Sequence, residues 1–142
     1  GVNMAIWKNP IALDVLRQSA RNTLIEHLGI ELIEIGDDYL KASMPVDQRT
    51  HQPLGLLHGG ASVTLAETVG STAANMCTEP GHYALGLDIN ANHLRGVRSG
   101  FVYAIAKPLH LGRTTQVWEI RIGDENDKPV CISRLTMAVI KV

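Results

Sequence analysis

The chain has 142 residues, with 13 basic and 14 acidic side chains and a formal net charge of −1. That length suits one domain with one core, and the charge balance gives no general attraction to nucleic acid or to an anionic membrane. The six aromatics (Trp7, Tyr39, Tyr83, Phe101, Tyr103, Trp118) are too few and too scattered for a base-stacking platform.

In chain order, Gly1-Val2-Asn3 ahead of Met4 reads as a cloning leftover, so the expected domain is 4–142. No apolar run follows that would mark a signal peptide. Asn9-Pro10 reads as an N-cap with proline at the first helical position, opening a helix through Leu13, Leu16 and Ala20 to about Arg21. A short turn of helix from Asn22 to Leu28 stops at Gly29. Ile30 to Ile35 is rich in β-branched residues and reads as a strand. Gly36-Asp37-Asp38 is a turn, and Tyr39 to Met44 alternates, with Leu40, Ala42 and Met44 on one face and Lys41 and Ser43 on the other. Together these make a hairpin.

Pro45 to Leu57 reads as a loop. Residues 50–66 form the longest stretch without Asp, Glu, Lys or Arg, but two His, a Gln, a Pro and three Gly rule it out as a membrane span. A helix from Gly60 to about Cys77 follows, closed by Glu79-Pro80-Gly81. The period then switches to strands at Tyr83–Asn92, Phe101–Leu111, Thr114–Ile122 and Val130–Ile140, joined by short turns that make antiparallel pairing the default. Six strands against one long helix is an α+β layout in which the sheet must curl around that helix. Small residues around the helix (Ala61, Ser62, Ala66, Gly70, Ser71, Ala73, Ala74) suit close approach.

Glu67 is the single charged side chain between Ala61 and Cys77. A surface helix ordinarily carries a charged face. Most of this circumference is therefore expected to be buried, where a carboxylate loses hydration unless a partner compensates. Such groups are enriched at functional sites. The competing reading is a Glu on a narrow open stripe with Thr64 and Ser71, or one paired to an Arg. Gly59 and Gly60 favour function, because backbone N–H groups at a helix start stabilise developing negative charge. An oxyanion donor and a carboxylate two turns further on suggest acyl transfer.

The segment His51-Gln52-Pro53-Leu54-Gly55-Leu56-Leu57-His58-Gly59-Gly60-Ala61-Ser62, followed by Leu65-Ala66-Glu67-Thr68 and Gly70-Ser71, resembles the signature of hot-dog-fold thioesterases. The subgroup it resembles carries its carboxylate on the central helix: the Glu-type 4-hydroxybenzoyl-CoA thioesterases and the bacterial 1,4-dihydroxy-2-naphthoyl-CoA thioesterases of menaquinone synthesis. The likeness runs from Ile6-Trp7-Lys8 through Pro108-Leu109-His110-Leu111-Gly112-Arg113 to Ser133-Arg134-Leu135. It implies a hot-dog fold, a curved antiparallel sheet of about six strands wrapped around one long helix, and hydrolysis of an acyl-CoA to free acid and CoA.

By position, the resemblance implies that Glu67 attacks the thioester carbonyl or activates a water. The Gly59 N–H, aided by His58, would polarise that carbonyl, Gln52 would help place the nucleophile, and Ser71 would hydrogen-bond near the acyl group or the carboxylate. For CoA it points to Gly86, to His93, Leu94, Arg95 and Gly96, and to His110, Leu111, Gly112, Arg113, Thr114 and Thr115. Family members are dimers with sites at the subunit interface, usually paired into tetramers. Related sequences usually have proline where this chain has Gly96.

CoA enters as substrate, so no cofactor is expected, and a readily leaving thiolate makes a strong general acid dispensable. None of the six histidines has the spacing of a helical zinc site, and no metal is expected. His93 and His110 with Arg95, Arg98, Lys107 and Arg113 suit CoA phosphates, against the plainer reading of solvated strand ends. Cys77 and Cys131 read as free, buried thiols in a reducing compartment, so a cytoplasmic protein is expected. There is no G-x-S-x-G elbow. The alternatives are a carrier-protein thioesterase, a hot-dog hydratase or dehydratase working through a histidine, and a non-catalytic acyl-CoA-binding module.

Overall fold

A computed structural model describes residues 5–142. The tripeptide read as a cloning leftover lies outside them. The described residues form helices α1 (Leu13–Ser19), α2 (Leu24–His27) and α3 (Gly59–Asn75), and strands β1 (Glu31–Ile35), β2 (Leu40–Pro45), β3 (His82–His93), β4 (Phe101–Leu111), β5 (Thr115–Gly123) and β6 (Pro129–Lys141). The strands make one antiparallel sheet in the order β1-β2-β4-β5-β6-β3. Short turns pair β1 with β2 and β4 with β5 with β6, while β3, arriving from α3, adds to the far edge beside β6.

The sheet wraps α3, which packs on β2 through β6. This is the hot-dog architecture. The buried side of the helix consists of Ala61, Ser62, Leu65, Ala66, Val69, Gly70, Ala73 and Ala74. Leu65 and Val69 are fully buried, and each contributes about 1.5–3 kcal/mol by leaving water. The small residues are needed for contact: a Cβ added at Gly70 would sit 2.7 Å from Leu135 Cδ2. Trp118, also fully buried, stacks on Trp7 at 6.5 Å and donates to Gln116 Oε1. The Gln116 amide in turn donates to Ala74 O at the end of α3, so the buried polar groups are paired.

Several details differ from the sequence reading. Asn9 and Pro10 do not open α1. The N–H groups of Lys8 and Asn9 both donate to Met76 O at the end of α3, and the helix starts only after Ala12, which has no capping side chain. The second turn of helix is shorter than expected, because Thr23 caps it and Asn22 takes a left-handed conformation. Ser43, expected on a polar face, is buried on a strand flanked by both β1 and β4. Finally, α3 begins one residue earlier, at Gly59, because His58 caps it.

Candidate active site

The loop before α3 is tied to the segment after β3, and this junction builds a cavity. The Leu57 N–H donates to Val97 O, the His51 ring meets Arg98 O at 2.8 Å, and the His58 N–H donates to Thr50 O. Thr50 is buried, its hydroxyl held by Pro45 O, and Arg49 pairs with Asp47 at 2.7 Å beside it. On the other side the Leu94 N–H donates to Val130 O. Between the two segments lies a cavity of about 390 Å³, lined by Gln52, Gly59, His93, Leu94, Arg95 and Gly96 among others. Six residues named from sequence meet there. Leu56, Leu57, Ser62 and Val130 also line it and were missed, since nothing in their spacing marks them.

Three details set what this end can do. Among the described residues nothing accepts from the Gly59 N–H, so it is free to donate. The Gly60 N–H is not free, because it donates to His58 Nδ1 at 2.8 Å. His58 is thus a helix cap, exposed and outside the cavity lining, with its Nε2 left without a partner among the described residues. A second ring, that of His93, also adjoins Gly59: its Nε2 would be 2.9 Å from a Cβ at position 59. Gln52 accepts the Leu54 N–H with its side-chain carbonyl, which leaves its NH₂ to donate into the cavity.

Glu67 lies eight residues along α3, about 12 Å from Gly59. It is exposed in the single chain, which corrects the expectation of a desolvated carboxylate. The open stripe with Thr64 and Ser71, both half-buried, is what forms, and no ion pair holds Glu67 among the described residues. The stripe is open because the sheet stops at β3, an edge strand with no neighbour beyond it in the chain. Gly86 of β3 faces the carboxylate, with its Cβ position 3.4 Å from Glu67 Oε2. Gly86 therefore lies beside Glu67, apart from the His93–Gly96 group. The Thr64 hydroxyl is spent on Gly60 O, whereas the hydroxyls of Thr68 and Ser71 have no acceptor among the described residues.

The expected phosphate set does not assemble within one chain. His110, Leu111, Gly112, Arg113, Thr114 and Thr115 form the β4–β5 turn, level with Gly86 through the row Gly86, Met137, Gln116 and Leu111. His93 and Arg95 sit at the opposite end of β3. Lys107 lies on the outer face of the sheet, in a depression it shares with Lys41, Tyr103, Glu119 and Arg121. Asp124, on the β5–β6 turn, is held below the usual carboxylate range by the Lys128 N–H, then by the Asn126 N–H, with the charge of Arg95 adding to them.

Both cysteines are buried and free, as expected. Burial pushes the Cys77 thiol up to about 11 and also raises that of Cys131. Among the described residues no cluster of His, Cys, Asp and Glu suits a metal ion, and no helix is long and apolar enough to cross a membrane.

The sequence profile of the thioesterase superfamily matches residues 54–131. The chain is 52% identical to the 1,4-dihydroxy-2-naphthoyl-CoA hydrolase of Escherichia coli K12, over 95% of this chain and 99% of that protein. It is 53% identical to the proofreading thioesterase EntH of Cronobacter turicensis, over 95% and 98% respectively. Among solved structures, a thioesterase from Pseudomonas aeruginosa with one glutamine replaced by alanine superposes with a TM-score of 0.95 at 52% identity, covering 97% of this chain and all of that one.

Proposed function

The chain belongs to the thioesterase superfamily and is a thioester hydrolase, and on that premise we propose that it cleaves a hydroxylated aromatic acyl-CoA at a site shared between two subunits. One observation carries the substrate reading: the stripe beside Glu67 ends in two unspent hydroxyls, those of Thr68 and Ser71. A hydrocarbon chain laid against them leaves both without partners, at a cost of about 1–3 kcal/mol for each one buried. An aryl group bearing hydroxyls pairs with them. The name of the E. coli relative points the same way.

The shared site follows from distance. A thioester oxygen needs its donor at about 3 Å, and the nucleophile must reach the adjoining carbon. Gly59 and Glu67 are about 12 Å apart on one helix and cannot serve the same carbonyl. The outer edge of the twelve-residue β3, with Leu85 48% and Leu87 64% exposed, has no strand beside it among the described residues and is suited to pairing with a second copy. In a two-fold pair, residue i meets j and j meets i. Gly59 adjoins His93 while Glu67 adjoins Gly86. An axis near Val63 on the helices and near Ile89–Asn90 on the strands therefore places each Gly59 opposite the partner subunit's Glu67. Two identical sites result.

In each site the Gly59 N–H takes the charge developing on the carbonyl oxygen, and Glu67 attacks the carbon or deprotonates the attacking water. The Gln52 NH₂ donates to that carboxylate and holds it in line. Collapse of the adduct expels the CoA thiolate. The nucleotide follows the cations of the β4–β5 turn.

Comparing kcat/KM for hydroxylated aryl-CoA, straight-chain acyl-CoA and acyl-carrier-protein thioesters tests the reading. A thiol-reactive dye reads released CoA cleanly, because both protein thiols are buried and raised. Aryl-CoA is expected to lead by at least tenfold. A straight-chain or carrier-bound substrate in the lead would overturn the assignment.

A further inference from the structure

We propose that His93 supplies an imidazole at the thioester carbonyl, its Nε2 donating to the same oxygen as the Gly59 N–H. The proposal rests on the active site described above and changes the role of one residue that the family resemblance groups with CoA phosphates.

Three observations carry it. The first is proximity. His93 Nε2 lies 2.9 Å and Cε1 3.1 Å from where a Cβ at position 59 would stand. Adding the backbone N to Cβ span of about 2.5 Å places Nε2 within about 5.4 Å of the Gly59 nitrogen. One oxygen can therefore lie about 2.7–3.1 Å from both donors, the spacing an oxyanion requires.

The second is that His93 lines the cavity and is uncommitted. Among the described residues neither ring nitrogen of His93 has a partner.

The third is the glycine itself. Gly59 does not adopt the left-handed conformation that usually demands glycine. The space a side chain would need at position 59 is filled by the His93 ring. Glycine is thus explained by the histidine, and the two form one unit.

Chemically, His93 moves no proton. As the nucleophile adds to the carbon, the carbonyl π electrons pass to oxygen, where Gly59 N–H and His93 Nε2–H share the charge. The electrons return as the C–S bond breaks, and the CoA thiolate leaves for solvent. Arg95, two residues beyond and also lining the cavity, stays available for a phosphate.

The test compares an acyl-CoA with the same acyl group on N-acetylcysteamine, which has no nucleotide. His93→Phe keeps an aromatic ring and removes the donor, and His93→Gln keeps a donor. His93 is exposed, so neither change should disturb folding. His93→Phe is expected to lower kcat about 10²–10³-fold on both substrates alike, with His93→Gln recovering part of it. A loss confined to the CoA ester and seen as a raised KM would make His93 a phosphate ligand and overturn the proposal. No loss on either substrate would overturn it as well. Glu67→Gln serves as the reference: if that variant keeps full turnover, the site itself is misplaced and the proposal falls with it.

Discussion

The two ends of the candidate stripe on α3, Gly59 and Glu67, are eight residues apart and differ in kind. At the start, Gly59 sits in a walled cavity, with the Gln52 loop on one side and the His93–Gly96 segment on the other, cross-tied by backbone hydrogen bonds. Further along, Glu67 faces solvent, with Gly86 of the edge strand beside its carboxylate. One end is preformed by its own chain, and the other is left unfinished. Preorganised donors stabilise a transition state because they need no rearrangement when charge appears. An exposed carboxylate has no such advantage until something covers it. Under the proposed two-subunit site each subunit supplies one half of the chemistry, and the contrast can be broken at either end.

The largest effect belongs to the open end. Glu67→Gln removes the only carboxylate on the stripe and leaves its shape, so kcat is expected to fall about 10²–10⁴-fold while the CoA ester still binds. Turnover assays and equilibrium binding measure the two halves of that statement. Near-normal turnover would reduce Glu67 to a solvated surface residue.

The next experiment joins the two ends. Mixing dissociated Glu67→Gln subunits with Gln52→Ala subunits makes heterodimers in which one site carries both changes and the other neither. With random assortment about half the dimers are mixed, and half their sites are intact. Activity should return to roughly a quarter of the unmodified level from two nearly inactive parents. A mixture no more active than its parents would mean that each chain completes its own site.

Much of this arrangement was legible in the sequence, and the exceptions have a common cause. Local pattern identified the β1–β2 hairpin, the long helix and the four later strands, because periodicity and turn residues act within a few positions. The lone Glu67 and the His58-Gly59-Gly60 start singled out α3 as the helix of the candidate site. What failed depends on partners distant in sequence. Asn9-Pro10 is a good local start, but its backbone is claimed by Met76 at the end of α3. His58 and His93 are both histidines near glycines, and only the fold shows that one caps the helix while the other covers Gly59. The burial inferred for Glu67 was wrong for a single chain because an uncharged helix face does not say whether it meets its own sheet or a second copy.

The smallest effect tests whether the closed end is rigid as built. Gly96 stands where the family resemblance leads one to expect proline. It lines the cavity, does not take a left-handed conformation, and its N–H has no acceptor among the described residues. A Cβ there would lie 3.4 Å from Leu56 Cδ2, an ordinary contact. Proline would thus remove no hydrogen bond and would mainly restrict the unfolded chain. Gly96→Pro is expected to raise unfolding free energy by about 0.4–1 kcal/mol, read by urea denaturation, with kcat unchanged. If kcat drops instead, the segment carrying His93 has to move during turnover. The closed end would then owe its form to substrate as much as to the tie between Leu94 and Val130.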